Sequence, residues 1–202
     1  MAKTADTLIL ASASAARARL LDGAGVAFSV APAEIDEASI KKVFRERAAG
    51  AEACALVLAS AKAAAVSARH PEALVVGADQ LLVIGDLWFD KPDTLGCVIE
   101  QLEALRGRTH TLVTAVCVTR NGERLWHTVT APCLTMHDFS AGFLADYIAT
   151  EGTAVLGSVG AYRFEGRGTQ LFSRIEGDYF SILGLPLIEL LGFLRRCGAL
   201  PA

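Results

Sequence analysis

Apolar positions along the chain fall into short runs typical of strands, separated by longer stretches with helical spacing. The first run, TLILAS at 7–12, predicts a strand. The small residues that follow predict a turn and then a helix, which Ser12 or Ser14 would cap and Gly23 or Gly25 would end. The predicted order of elements therefore begins with a strand, a turn and a helix.

Helical spacing dominates much of the remaining chain. An alanine-rich stretch over 39–70 predicts two helices, interrupted near Gly50 and stopped by Pro71. A glycine-rich segment at 151–170 predicts a loop. Amphipathic helices are predicted over 93–105 and 185–198, and a further helix over 140–150.

Two hairpins are interleaved with these helices. A buried strand at 73–79 leads into a hairpin over 80–89 that turns at Gly85-Asp86, and a second hairpin over 110–136 turns at Asn121-Gly122. Hairpins exclude an all-parallel sheet, so the pattern predicts an α/β fold with a mixed, twisted sheet flanked by helices, and a cleft. No linker-like segment interrupts the sequence, which favours a single domain over 1–202.

Composition and charge narrow the classes of partner. The chain has 202 residues, 52% of them hydrophobic, which suffices for a sizeable core. Its 19 basic and 22 acidic residues are dispersed, so we expect no nucleic-acid polymer as partner. No apolar segment approaches the roughly 18 residues that span a bilayer, so we expect no membrane partner. Five cysteines without a C-x-x-C pair indicate reduced thiols and a cytoplasmic protein.

Three features of the sequence suggest a phosphate-handling site. The turn LASASAAR offers backbone N–H groups at a helix N-terminus, with Arg17 one turn into the helix. An ordinary capped helix with a solvated arginine would have the same sequence. Asp79 lies at the carboxyl end of the predicted strand, after LVVGA, where it would hold a metal, activate water, or only bond its own turn.

The third feature is a pair of lysines, and an acidic loop accompanies them. Lys62 in a helix and Lys91 beside a proline would balance the charge of a polyphosphate, although a lone helical lysine is more often solvated. The loop at 29–37 ends in Glu37, which would supply a second carboxylate for a divalent ion or simply remain solvated. His110 would act as an acid or base, or brace a strand.

Seven motifs occur in an order and spacing that resemble the Maf/Maf-like family of nucleoside triphosphate pyrophosphatases, over about residues 7 to 198. They are LASASAARARLL, LASAKA, VVGADQ, FDKPDT, LRGRTHTLVTAV, SVGAYRFEGRG and IEGDYFSILGLPLIELL. The resemblance implies hydrolysis of (d)NTPs to a nucleoside monophosphate and pyrophosphate with a divalent cation, Mg²⁺ or Mn²⁺. It also implies a two-lobed α/β fold similar to the inosine triphosphate pyrophosphatases, with the site in the central cleft.

The resemblance also assigns roles to particular residues. It implies that Ser12 and Arg17 belong to the phosphate loop, that Lys62 and Lys91 contact phosphates, and that Asp79 is the general base. Glu37 matches an acidic position and, together with Asp79, would hold the metal or a water molecule.

The chain departs from the family pattern in the phosphate loop and at two residues associated with nucleobase preference. Ala15 and Ala16 replace the proline and first arginine of the family's Ser-x-Ser-Pro-Arg-Arg. Gln80 and Glu165 resemble the branch associated with 7-methylguanosine triphosphate, whereas GAYR resembles the pyrimidine branch. We therefore expect a guanine-like preference, with Gln80 and Glu165 binding substrate.

A non-catalytic nucleotide-binding regulator of cell division is the alternative function, since family members have been linked to septum formation. Retention of Asp79 and both lysines argues against that alternative. The alanine-rich helices and the apolar C-terminal helix would support a homodimer.

Overall fold

Eight strands and seven α-helices occur in the part of the chain that this computed structural model describes, residues 7–201. The strands are β1 (Leu8–Leu10), β2 (Ser29–Val30), β3 (Leu74–Ile84), β4 (Leu87–Phe89), β5 (Thr109–Arg120), β6 (Glu123–Thr130), β7 (Cys133–Met136) and β8 (Phe172–Glu176). The helices are α1 (Ala15–Gly23), α2 (Glu37–Glu46), α3 (Ala51–Ser67), α4 (Leu95–Leu105), α5 (Ala141–Glu151), α6 (Tyr179–Ile182) and α7 (Leu187–Arg196).

The strands form one mixed sheet in the order β2-β1-β3-β5-β7-β8, with β4 paired to β3 and β6 paired to β5. Strand β1 runs parallel to β2 and β3. The β3–β4, β5–β6, β5–β7 and β7–β8 pairs are antiparallel. The predicted α/β class with a mixed sheet flanked by helices is therefore confirmed.

The described residues group into two compact units. The first comprises the described parts of Met1–Asp79 and Tyr179–Ala202 together with Thr114–Thr130, and the second comprises Gln80–Val113 and Ala131–Asp178. Strands β3 and β5 contribute residues to both units. The expected single domain over 1–202, of which residues 1–6 and 202 lie outside the description, stays a prediction.

The core of the first unit is formed by apolar side chains of β1, β3 and β5 packed against α1 and α7. Representative buried members are Leu10, Leu21, Val76, Val116 and Leu190. Alternate residues of a strand face the same side, so Leu74, Val76 and Ala78 contribute together to this core. The residue after them, Asp79, is also buried.

Both predicted hairpin turns are confirmed. Ile84 pairs with Leu87 across Gly85-Asp86, and Arg120 pairs with Glu123 across Asn121-Gly122. Asn121 and Gly122 both have positive φ, 49° and 76°, as a type I′ turn requires. Residues 133–136, which the sequence assigned to the second hairpin, form the separate strand β7, which pairs with the first residues of β5.

Other departures from the sequence prediction arise where pairing partners are distant in the chain. Strand β3 continues through Asp79 to Ile84, so Asp79 lies in the middle of a strand and the prediction that the strand ends at Asp79 was wrong. The predicted loop at 151–170 contains short 3₁₀ turns, and strands β2 and β8 were missed. Long-range pairing, which leaves no local pattern, creates these elements.

Helix α3 lies directly on β3 at Gly77. An ideal Cβ at Gly77 would lie 2.8 Å from the backbone nitrogen of Ala63 and closer still to the carbonyl oxygen of Ala59. Only glycine permits this approach, which brings the turn of α3 that contains Lys62 next to β3.

We predict that Gly77→Ala lowers the free energy of unfolding by about 3 kcal/mol, because a methyl group there overlaps the α3 backbone. Urea unfolding followed by circular dichroism measures this change. Gly23→Ala is the matched control, since no atom lies within 4 Å of its Cβ position, and it should leave stability unchanged or slightly raised. Equal effects of the two substitutions would contradict the steric argument.

Candidate active site

Lys62 lies between two carboxylates in the first unit. Its Nζ is 2.6 Å from Oδ1 of Asp79 and 2.7 Å from Oε1 of Glu37. Lys62 and Asp79 are buried, whereas the side chain of Glu37 is 42% exposed. The solvated alternative for Lys62 is therefore excluded, and three of the predicted site residues lie together.

Local structure explains how each of these side chains is held. Lys62 lies in the interior of α3, and Asp79 lies in β3 two residues after the contact at Gly77. Glu37 is the first residue of α2, which Asp36 caps by accepting a hydrogen bond of 3.0 Å from the backbone N–H of Ser39. Hydrogen bonds from Ser39 to the carboxylate lower the pKa of Asp36.

One carboxylate oxygen of this cluster is not satisfied by the described protein atoms. Oδ2 of Asp79 is buried and has no hydrogen-bond partner among the described residues. A buried carboxylate oxygen without a partner is costly, and such atoms in native structures often face a ligand, ion or water. Asp79 thus has acceptor capacity beyond its contact with Lys62.

The carboxylates also fit the divalent cation that the sequence resemblance implies. Among the described residues, no group of three or more His, Cys, Asp or Glu side chains is arranged to hold a metal ion. Mg²⁺ in phosphate sites usually takes only one or two carboxylates and completes its shell with water and substrate phosphates. The unpaired Oδ2 of Asp79 and the partly exposed Glu37 meet that requirement.

Arg17 connects three separate segments of the first unit. Its Nη1 donates to Oγ of Ser12 and to the carbonyl oxygen of Ala78, both at 3.0 Å, and its Nε donates to the carbonyl oxygen of Gly184 at 2.8 Å. The side chain is buried, and desolvation lowers its pKa, while the charges of Asp79 and Glu37 oppose that shift. The alternative of a solvated arginine is therefore wrong.

The serines of the predicted phosphate loop have distinct structural roles. Ser14 caps α1 by accepting from the backbone N–H of Arg17 at 3.4 Å. Ser12 is buried, and its hydroxyl oxygen accepts from the backbone N–H of Ser14 at 3.2 Å as well as from Arg17. Arg17 and Ser12 thus shape the turn together.

The remaining predicted site residues belong to the second unit. Gln80 follows Asp79 in β3 and is partly buried, whereas Lys91 and Glu165 are exposed. Their roles toward a substrate stay predictions.

His110 braces the second unit. Its Nε2 lies 2.9 Å from the hydroxyl oxygen of Tyr162, and its ring packs against Tyr162 and Phe172. The side chain is buried, and burial lowers its pKa to about 4. These contacts favour the structural alternative over an acid or base.

Comparison with known proteins agrees with the motif pattern. The profile of the family described as Maf-like protein matches residues 7–197. The chain belongs to the Maf-like protein family.

Relatives of this Maf-like chain include proteins with two related names. The nucleoside triphosphate pyrophosphatase of Granulibacter bethesdensis is 53% identical over 193 residues, which cover 96% of this chain and 98% of that protein. The 7-methyl-GTP pyrophosphatase of Brucella abortus is 47% identical over 189 residues, covering 94% and 95%. The family resemblance inferred from the motifs is therefore confirmed.

Among solved structures, a nucleoside-triphosphatase (dITP/XTP pyrophosphatase) from Mycobacterium abscessus covers 96% of this Maf-like chain and 98% of that one, with 16% identity and a TM-score of 0.44. A similarity at that level does not define a shared fold. No helix in residues 7–201 has the length and apolar character needed to cross a membrane.

We predict that His110 makes stability fall in acid. Burial lowers its pKa from 6.5 to about 4. Between these pH values the histidine is therefore protonated in the unfolded chain and neutral in the folded chain. Its contribution is fully present above pH 6.5 and is lost as pH falls toward 4, on the order of 3 kcal/mol. Urea unfolding between these pH values should show a shallower loss for His110→Gln than for the parent chain. His70→Gln, at an exposed histidine, should keep the parent slope, and identical slopes for all three would contradict the assignment.

Proposed function

We propose that this chain is a nucleoside triphosphate pyrophosphatase, which hydrolyses (d)NTPs between the α and β phosphates to a monophosphate and pyrophosphate. The observation that carries this proposal is the Glu37–Lys62–Asp79 cluster, in which the buried ammonium of Lys62 contacts the partly exposed Glu37 and the buried Asp79. Oδ2 of Asp79 has no hydrogen-bond partner among the described residues. The names of the relatives from Granulibacter and Brucella support the same reaction class.

Asp79 is the candidate general base. Its Oδ1 is held by Lys62, which leaves Oδ2 able to accept a hydrogen bond from a water molecule and to take its proton during attack. Lys62 supplies positive charge where phosphoryl oxygens gain negative charge, and Ser12 offers a hydroxyl in the phosphate turn. Lys91 is the second proposed phosphate contact.

A divalent cation, Mg²⁺ or Mn²⁺, completes the proposal. Glu37 and Asp79 would hold it, and when bound it would neutralise charge on the substrate phosphates. The ammonium of Lys62 contacts the same two carboxylates, so it keeps their charges balanced within the protein.

We predict that Asp79→Asn lowers pyrophosphate release at least about 100-fold, because the amide keeps the shape of the side chain but loses its basicity. A panel of canonical and methylated nucleoside triphosphates with Mg²⁺ or Mn²⁺, resolved into monophosphate, pyrophosphate and orthophosphate, measures the effect. Chelation of the metal should abolish release in the parent chain.

Asp86→Asn, at the exposed hairpin turn, is the matched control for Asp79→Asn and should keep full activity. Orthophosphate in place of pyrophosphate would contradict the proposed reaction. Binding of α,β-methylene-GTP without turnover of any nucleotide would contradict the enzymatic function and favour the alternative of a non-catalytic nucleotide-binding regulator.

Glu165 is the proposed determinant of base preference, together with Gln80. A carboxylate accepts hydrogen bonds from the N1–H and N2–H groups of guanine, whereas an amide presents a donor as well as an acceptor and suits thymine or uracil. The proposed substrates therefore include guanine nucleotides such as 7-methyl-GTP, in agreement with the name of the Brucella relative.

We predict that Glu165→Gln lowers the ratio of kcat/KM for 7-methyl-GTP to kcat/KM for dTTP by about tenfold or more, because one of the two side-chain acceptors for the guanine N–H groups becomes a donor. Steady-state kinetics with 7-methyl-GTP, GTP, dTTP and UTP provide the ratios. Glu100→Gln, an exposed site on α4 with the same change of charge, should leave every ratio unchanged. Unchanged selectivity in Glu165→Gln would exclude this residue as the determinant.

A further inference from the structure

Gly184, in the turn between α6 and α7, contacts the guanidinium of Arg17 through its carbonyl oxygen. The glycine lies in the last of the seven motifs, IEGDYFSILGLPLIELL. Arg17 uses three of its five N–H donors on protein oxygens, those of Gly184, Ser12 and Ala78. Its orientation is therefore determined by the protein itself.

The turn that presents this carbonyl is anchored to the sheet. Oγ1 of Thr114, a buried residue of β5, donates to the carbonyl oxygen of Ser181 at 3.0 Å. The same oxygen accepts from the backbone N–H of Gly184 at 3.0 Å, and the N–H of Leu185 donates to Phe180 at 3.1 Å. The position of the Gly184 carbonyl thus follows from the position of β5.

Two independent constraints require glycine at this position. Gly184 has φ +93°, a conformation that L side chains rarely adopt. An ideal Cβ there would lie 3.2 Å from Nε and 3.4 Å from Nη2 of Arg17. Any side chain would therefore strain the turn and press on the guanidinium that the turn holds.

The opposite side of Arg17 leads to the reacting groups. One Nη1 bond orients the Ser12 hydroxyl, and the other holds the carbonyl of Ala78, whose neighbour in β3 is Asp79. Because Ala16 stands where the family pattern has its first arginine, Arg17 is the arginine that remains at this point of the turn.

We propose that Gly184 is a positioning residue for the active site, acting through Arg17 on Ser12 and on the strand at Ala78 and Asp79. This inference rests on the proposed pyrophosphatase function. Gly184 touches no reacting atom. Its carbonyl oxygen fixes the orientation of the Arg17 guanidinium, and the guanidinium in turn fixes the positions of the phosphate turn and of the strand that contains the proposed general base.

We predict that Gly184→Ala lowers kcat/KM for pyrophosphate release by about 10- to 100-fold, since displacement of a catalytic constellation by about 1 Å has effects of this size. Gly25→Ala is the matched control, because Gly25 has φ +68° but no atom within 4 Å of its Cβ position. It should lose comparable thermal stability through backbone strain while keeping its kcat/KM.

A double-mutant cycle with Arg17→Lys separates positioning from general damage. If Gly184 acts through Arg17, Gly184→Ala should change kcat/KM less than about threefold once Arg17 is lysine, so the two effects are strongly non-additive. Additive effects, or an activity of Gly184→Ala equal to that of Gly25→Ala, would overturn the inference.

A second variant covers the case in which Gly184→Ala does not fold. Thr114→Val removes the donor to Ser181 and leaves the glycine in place, so kcat/KM should fall with the same coupling to Arg17→Lys. Additivity in this cycle would also overturn the inference.

Failure of the proposed function gives a different result. If the parent chain releases no pyrophosphate, the proposed enzymatic activity is refuted. The effect of Gly184 is then measured as the affinity for α,β-methylene-GTP, by titration calorimetry. Weaker binding by Gly184→Ala than by Gly25→Ala would support the inference, and equal binding would overturn it.

Discussion

The contact of the Lys62 ammonium with the Asp79 carboxylate is the constraint on which the site depends. Both groups are buried, and removing either charge from water is expensive unless a partner and further hydrogen bonds compensate for it. The pair is possible because Gly77 lets α3 lie against β3, and because α2 begins at Glu37, which provides the second carboxylate. Packing and electrostatics therefore impose the same arrangement on this part of the first unit.

Two networks meet on consecutive residues of β3. The carbonyl oxygen of Ala78 accepts from Arg17, while the side chain of Asp79 accepts from Lys62. One network connects the strand to α1 and to the turn at Gly184, and the other connects it to α3. A strand held from its backbone and its side chain has little freedom to rotate, and such rigidity would keep the geometry of Asp79, the proposed general base.

In the second unit, an aromatic cluster organises the segment that contains Glu165. Phe172 packs edge-on against Tyr162 and Phe164, and His110 joins the cluster through its hydrogen bond to Tyr162. Phe164 directly precedes Glu165, so the backbone that presents this carboxylate is fixed by packing. Because its backbone is packed in this way, Glu165, the proposed specificity residue, has fewer conformations to lose if a ligand binds there.

Periodicity and turn chemistry in the sequence were enough to predict most helices, both hairpin turns and the mixed sheet, because caps, glycine turns and apolar spacing are local properties. Motif order also predicted that Lys62 and Asp79 belong to one site, and the structure places their side chains in contact. Tertiary structure decided that β3 continues past Asp79, that Lys62 contacts Glu37, and that Arg17 is buried on the carbonyl of Gly184. These contacts join residues separated by up to 167 positions, and the burial that makes an ion pair or a guanidinium rigid exists only once the distant segments have packed.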